Sequence, residues 1–399
     1  MNRPEKLKLF ILMLALICAI AVGAHAQEPD QLYRVDEIPI EDLSEILPAR
    51  NVQGPLVYEF LPGNRLFAVT DRLNLIDLDA MKRIAEAPLP DSAPALDSEF
   101  VFRTDRIQES DNGLFWFIYG FADGNIVQLG YQFDNDLKLI REFDMIPYTG
   151  HTSETFMDIS RDGSELFYIR DMEELWRENL DTGEKARYLK TEMGFNMEIN
   201  SLINLRLIDN GKSVLFVGHK LIEPENSDSE GIPTHLVFGT LSPNGENLAI
   251  DDGSEYNVPI DANTLTSFMH TPQTSSIALI VPTALSEPET IKTVYALDVA
   301  AKHVVEIPLQ APLEDERAKL SENGKYLATA LCESRDDGTF ALVPRLYGAA
   351  KGSLLATYEF PALSECTNAA VGVSEADGLI SVVYQDGQAV RLVRIPIEK

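Results

Sequence analysis

The side chains best able to do chemistry in this chain sit just ahead of short apolar runs. They are Asp97 and Glu99, His151 and Glu154, Asn196 and Glu198, His270, then Asp315, Glu316 and Arg317, and Glu365. Most offer oxygen, and converging carboxylates and carbonyls are what a Ca²⁺ ion takes as ligands. If such groups met on one cation they could also polarise a carbonyl or activate water, as a metal-dependent lactonase or hydrolase requires. Glu99, Glu154, Asn196, Glu198 and Glu316 are the material for that alternative, with Ca²⁺ as its only candidate cofactor. Against it stands composition: a chain with 63 Asp+Glu and 33 Lys+Arg puts acids into every loop.

Motifs that would make the chemistry specific are missing. There is no G-x-S-x-G, H-E-x-x-H, C-x-x-C-H or G-x-G-x-x-G, and no phosphate loop. His151, His219, His235, His270 and His303 show no pair at metal-ligand spacing. The reading is therefore of a binding module, with no catalytic residue and no metal ligand assigned.

A second acidic set lies in three longer segments: "LIEPENSDSEGIPT" (221–234), "ALSEPETI" (284–291) and "ESRDDGT" (333–339). Long loops on a short-loop scaffold are where binding residues concentrate. Glu223, Glu225, Asp228, Glu230, Glu287, Glu289, Asp336 and Asp337 are thus candidates for contact with a partner protein. The formal net charge of −30 favours a basic partner and opposes nucleic acid and anionic membrane.

Turn signals recur between alternating strands: Gly63-Asn64, Asn112-Gly113, Asp162-Gly163, Asn210-Gly211, a weaker one near Thr274, Asn323-Gly324 and Asp377-Gly378. The spacing is about 50 residues, and strand-only repeats of that period indicate a β-propeller. The expectation is an all-β, seven-bladed propeller of four-stranded antiparallel blades. Units tend to end in an extended segment closing on proline, as in "IAEAPLP", "REFDMIP", "EYNVPI", "VVEIPL" and "TYEFP", which suits an outer edge strand. "YRVDEIPI" (33–40) has the same form but precedes every turn, and the last unit offers two strands after its Asp-Gly. Residues 33–40 are accordingly expected to supply the outer strand of the last blade and close the ring. Phe115, Trp116 and Phe117 read as an inner strand buried between two blades, and Trp176 as blade core.

The mouth where inner strands begin is the expected binding surface. It would collect Glu99, His151, Glu154, Asn196, Glu198, Glu316 and Arg317, with the Asn-Gly and Asp-Gly turns on the opposite face.

In the third unit, Ser160, Asp162, Gly163, Leu175, Trp176, Leu180, Asp181, Thr182 and Gly183 follow the order S-x-D-G, hydrophobic-W, L-D-x-x-[ST]-G, read with Asp-Thr-Gly directly after Leu180. This wording resembles the WD40-like repeats of TolB-type periplasmic propellers. The resemblance implies fold and carries no activity.

Residues 1–26 read as a secretory signal peptide: Arg3, Lys6 and Lys8, an apolar run, then Ala24-His25-Ala26. Residues 27–399 are then one domain in the periplasm or outside the cell, monomeric or part of a larger complex, without membrane insertion. Cys332 and Cys366 follow the leader, and an oxidising compartment would join them. Both fall at the mouth end of neighbouring units, within disulfide range.

Overall fold

A computed structural model of the chain describes residues 32–34, 38–47, 57–93, 100–122, 125–143, 157–170, 174–189, 193, 199–208, 213–221, 234–244, 247–250, 256, 258, 264–269, 275–284, 292–311, 318–387 and 389–397. Apolar residues alternating over short runs, broken by Gly, Asn and Asp turns, give strands and little else. The described strands form seven sheets, each built from an up-and-down antiparallel run.

In chain order the first sheet is β3 (Val57–Leu61), β4 (Arg65–Val69), β5 (Arg72–Asp77) and β6 (Lys82–Pro88). The second is β7 (Phe100–Ser110), β8 (Gly113–Ala122), β9 (Asn125–Phe133) and β10 (Leu139–Phe143). The third is β11 (Met157–Ile159), β12 (Glu165–Arg170), β13 (Glu174–Asn179) and β14 (Lys185–Leu189). The fourth is β15 (Ile199–Ile208), β16 (Ser213–Leu221), β17 (Thr234–Asn244) and β18 (Asn247–Ile250). The fifth is β19 (Thr264–Met269), β20 (Ile277–Ala284), β21 (Thr293–Asp298) and β22 (His303–Pro308). The sixth holds β23 (Ala318–Leu320), β24 (Tyr326–Ser334), β25 (Phe340–Gly348) and β26 (Ser353–Glu359), and the seventh β27 (Thr367–Ser374), β28 (Leu379–Asp386) and β29 (Ala389–Pro396).

This is a β-propeller with antiparallel four-stranded blades. Its core lies between the sheets. Trp116, Tyr131 and Phe133 of the second sheet pack against Phe67, Val69 and Leu75 of the first. Phe115 and Phe117 meet Met157, Ile159 and Leu166 of the third sheet. Tyr58, Leu66 and Ile76 of the first sheet pack against Val383, Val390 and Leu392 of the seventh. The segment 115–117 is therefore buried on both faces, as its density of aromatics requires. It forms the second strand of its sheet, however, and not the inner one expected. Trp176 is only half-buried: it stacks on Tyr168 and its indole N–H donates to Glu174, so it is not blade core.

The N-terminal expectation needs correction. Residues 33–40 do not form one strand. β1 (Leu32–Arg34) runs parallel to β26 as a fifth strand on the sixth sheet, with Tyr33 stacked on Tyr358. β2 (Ile40–Asp42) is the segment that pairs antiparallel with β29. Six sheets thus have four strands and one has five, where seven alike were expected. β1 ends at Arg34 and β2 begins at Ile40. A second correction concerns "EYNVPI": the outer strand of the fourth sheet is β18, ahead of it, while Tyr256 and Val258 pack into the interface with the fifth sheet.

Cys332 on β24 and Cys366 just ahead of β27 form a disulfide, with Cα atoms 5.5 Å apart and a sequence separation of 34. It ties the sixth sheet to the seventh and points to an oxidising compartment. Among the described residues no helix is long and apolar enough to cross a membrane. Residues 1–26, expected from the sequence to be a signal peptide, lie outside the described residues.

Candidate functional site

Inner strands converge on the propeller axis, so their polar residues must meet there or face water. β3, β7, β11, β15 and β23 each bring an ionic group into that space: Glu59, Arg106, Asp158, Arg206 and Lys319. Lys319 forms an ion pair with Glu59, joining the sixth sheet to the first across the seventh. Arg106 donates from Nη2 to Asp158 Oδ1 at 2.8 Å and to Gln108 at 2.8 Å, and from Nη1 to the Met157 carbonyl at 2.9 Å. Asp158 also accepts the Ile159 N–H on Oδ1 and the Leu207 N–H on Oδ2, both at 2.8 Å. Arg206 Nη1 lies 3.8 Å from Asp158 Oδ2. The result is a belt of alternating sign: Lys319, Glu59, Arg106, Asp158, Arg206.

The belt is largely shielded from water: the Asp158 side chain is 0 % exposed and that of Arg206 4 %. Burial pushes the Asp158 carboxyl up, while Arg106 and the two backbone N–H groups pull against it. Burial likewise raises the Glu59 carboxyl, opposed by Lys319 and by Arg106. The Arg106 guanidinium is pulled down by burial and held up by Asp158 and Glu59. Such groups persist inside a protein because each is met by an opposite charge and by fixed hydrogen bonds.

Beside the belt lies a cavity of about 730 Å³. Glu59, Arg106, Arg206 and Lys319 line its depth, and Glu109, Asp111, Glu322 and Asn323 line its rim. Glu109 stands at the end of the inner strand β7, and Asp111, Glu322 and Asn323 belong to the turns leaving the inner strands. The cavity therefore opens on the Asn-Gly and Asp-Gly face, opposite the mouth where a site was expected. Serines build this face. Ser160 donates its hydroxyl to Asp162 at 2.5 Å and accepts the Glu165 N–H at 2.9 Å. Ser321 accepts the Tyr326 N–H at 3.0 Å and donates to Glu375 of the seventh sheet. Turn glycines pack on the serine of the preceding sheet: a Cβ at Gly163 would meet Ser110 Oγ at 2.5 Å, and one at Gly324 would meet Ser275 Oγ at 2.9 Å. Both glycines have positive φ, so only glycine fits there on two counts.

The residues singled out from the sequence fare unevenly. Glu99, His151, Glu154, Asn196, Glu198, Glu316 and Arg317 lie outside the described residues, as do Glu223, Glu225, Asp228, Glu230, Glu287 and Glu289. Asp336 and Asp337 are exposed in a short turn between β24 and β25, where Asp337 accepts the Thr339 N–H at 2.9 Å and its hydroxyl at 2.6 Å. That connection is a tight turn closed by Arg335 and Thr339, not the long loop expected. Among the described residues no three of His, Cys, Asp and Glu gather as a metal site would require.

Sequence reasoning missed the belt, although a signal was present. Asp158, Arg206 and Lys319 each stand five residues before a turn glycine, at Gly163, Gly211 and Gly324, inside strands that carry no other charge. A charge at a constant offset in a repeat marks one level of one channel.

No family model matches the chain, and comparison with curated proteins finds no relative. Among solved structures it is similar to one described as U3-55K, at 10% identity over 89% of this chain and 98% of that one, with a TM-score of 0.46. It is also similar to hydrazine synthase of Kuenenia stuttgartiensis, at 11% identity over 88% of this chain and 98% of that one, with a TM-score of 0.47.

Proposed function

We propose that this chain is an exported β-propeller whose seven sheets close into one ring, and that it works as a protein-binding or scaffold module. The observation that carries the reading is how its inner ionic groups are used. Glu59, Asp158, Arg106 and Lys319 are engaged with one another across sheets, which makes a stiff ring and not a poised nucleophile or base. The disulfide supports export to the periplasm or beyond. The pairing of β2 with β29 and the packing of the first sheet on the seventh support closure of the ring.

The partner in this reading is a basic protein, met by the acidic segments 221–234, 284–291 and 333–339. A net charge of −30 would steer such a partner, and association would slow as salt rises. The test is capture from periplasmic extract by the native chain and by a variant with Glu223→Gln, Glu225→Gln, Asp228→Asn and Glu230→Gln together. A basic protein held by the first at low salt, and lost from the second with unchanged melting temperature, supports the reading. The same proteins held equally by both would overturn it.

A further inference from the structure

Among the described residues, every large apolar side chain that stands exposed lies on an outer strand. They are Ile40 on β2, Ile84 on β6, Leu139 and Ile140 on β10, and Leu355 on β26, between 37 and 51 % exposed. Their four sheets are consecutive: the sixth packs on the seventh, the seventh on the first, and the first on the second. Single exposed apolar residues are ordinary on a protein surface. A set confined to one arc of the perimeter is not.

Three of them are aimed by the same device. The strand register skips Ile84 between Arg83 and Ala85, Ile140 between Leu139 and Arg141, and Leu355 between Leu354 and Ala356. Each is thus the extra residue of a β-bulge, which re-aims its side chain. Each also follows by three residues a backbone of positive φ, at Met81, Leu137 and Gly352. The third and fifth sheets have positive φ in the corresponding turns, at Gly183 and Lys302. Three residues on they carry Ala186 and Val305, paired in regular register and partly buried. Among the described outer strands, bulge and exposed apolar residue therefore occur together. An exposed lysine stands in or just after the turn before each one: Lys82, Lys138 and Lys351.

A bulge spoils an edge for an added strand, and β1 pairs with β26 only beyond the bulge, from Thr357 on. Side chains on separate sheets also give no continuous apolar core of the kind a protein interface is built on. A phospholipid surface needs neither. It takes isolated apolar side chains held at one level, with ammonium groups beside them reaching phosphates. Equivalent positions on successive sheets supply that common level. We propose that the arc of Leu355, Ile40, Ile84 and Ile140 is where the protein rests on a phospholipid surface, its apolar side chains entering the headgroup layer and Lys82, Lys138 and Lys351 meeting phosphates. No strand or helix is inserted. A net charge of −30 disfavours anionic lipid, so the surface is a zwitterionic one. Leu355 stands opposite the end of β25 and the 335–339 turn precedes its start, so the arc stands or falls apart from the protein-binding reading.

The experiment is co-sedimentation of the chain in its exported form, residues 27–399, with vesicles of phosphatidylcholine and phosphatidylethanolamine in equal parts. The native chain should partition onto them. Ile84→Ser, Ile140→Ser and Leu355→Ser together should lower the partition coefficient at least about tenfold. These side chains are exposed, so the melting temperature should hold. Lys82→Gln, Lys138→Gln and Lys351→Gln together should lower partitioning by less. Ile140→Trp should bind at least as well as the native chain and shift its emission to the blue on addition of vesicles, because tryptophan favours the interface. Ala186→Trp, on the third sheet and outside the arc, should show no shift. These two variants decide the matter even where the triple serine variant does not fold. Vesicle binding equal in the native and serine chains, an unshifted Ile140→Trp, or no sedimentation of the native chain at millimolar lipid overturns the proposal. A native dimer that the serine changes dissociate, without vesicle binding, also overturns it and gives the arc to a second copy of the chain.

Discussion

The turns that leave the inner strands of the third and sixth sheets have nearly the same wording, Ser160-Arg161-Asp162-Gly163 and Ser321-Glu322-Asn323-Gly324. Their backbones close alike: each glycine N–H donates to the serine carbonyl at 2.8 Å. The hydroxyls part company. Ser160 finds its acceptor two residues on, in Asp162. In the sixth sheet that position is Asn323, and Ser321 donates instead to Glu375 of the seventh sheet. The turn with Asp holds its own acceptor, and the turn with Asn takes one from a neighbouring sheet. A local bond stabilises a turn, whereas a borrowed one also fixes an interface.

The long-range ties of the two sheets differ in kind as well. The third sheet holds its neighbours through Asp158, which joins Arg106 of the second sheet to Leu207 and Arg206 of the fourth. The sixth holds the seventh by a covalent bridge. Breaking each tie separately measures the comparison. Asp158→Ala should have the largest effect, because it removes the charge that two buried guanidinium groups face and the carboxylate that two backbone N–H groups donate to. Removing one partner of a buried pair costs about 3–5 kcal/mol. Chemical denaturation should show that loss; a change below about 1 kcal/mol would mean that water already screens the belt.

The bridge comes next. Replacing Cys332 and Cys366 by Ala together should cost about 3–4 kcal/mol in the chain-entropy picture for a loop of this length. The midpoint of the variant should match that of the native chain under a reductant. If the native midpoint does not move on reduction, the sixth and seventh sheets are held by packing alone, through Tyr358, Val371 and Ile380.

The legible part of this molecule was the repeat. Asp162-Gly163 and its counterparts located the strand turns, because positive φ and the need for a short polar side chain act within two residues. Cys332 and Cys366 could be paired because strand direction places both at one end of adjacent sheets. The belt escaped notice because its members lie in strands far apart in sequence, and each alone looks like an ordinary charge. Only their common distance from the turn glycine connects Asp158, Arg206 and Lys319. The N-terminal strand was misplaced by seven residues at its start, β2 beginning at Ile40 and not at 33. Proline at position 39 drew the reading toward "YRVDEIPI", yet a three-residue edge strand leaves almost no periodicity to detect.

The smallest expected effect separates the two serine turns by pH. The Ser160 hydroxyl, with help from Ser164, holds the Asp162 carboxyl below its ordinary 3.8. Burial raises the Glu375 carboxyl, but the hydroxyl of Ser321 and the donors of Asn323 outweigh it and leave it below its ordinary 4.5. A depressed carboxylate favours the fold above its unfolded value and loses that contribution as pH falls through its folded value. The Glu375 contribution should therefore begin to fade below about pH 4.5, and that of Asp162 below about pH 3.8. Melting temperature followed from pH 6 to pH 2 should fall less steeply in Asp162→Asn and in Glu375→Gln than in the native chain, with all three curves converging in acid. Both variants are polar and surface-tolerated, so neutral-pH losses should be small, with Glu375→Gln the larger because its bonds span two sheets. If Asp162→Asn were instead the more destabilised at neutral pH, the local turn would outweigh the borrowed contact and the comparison between the sheets would reverse.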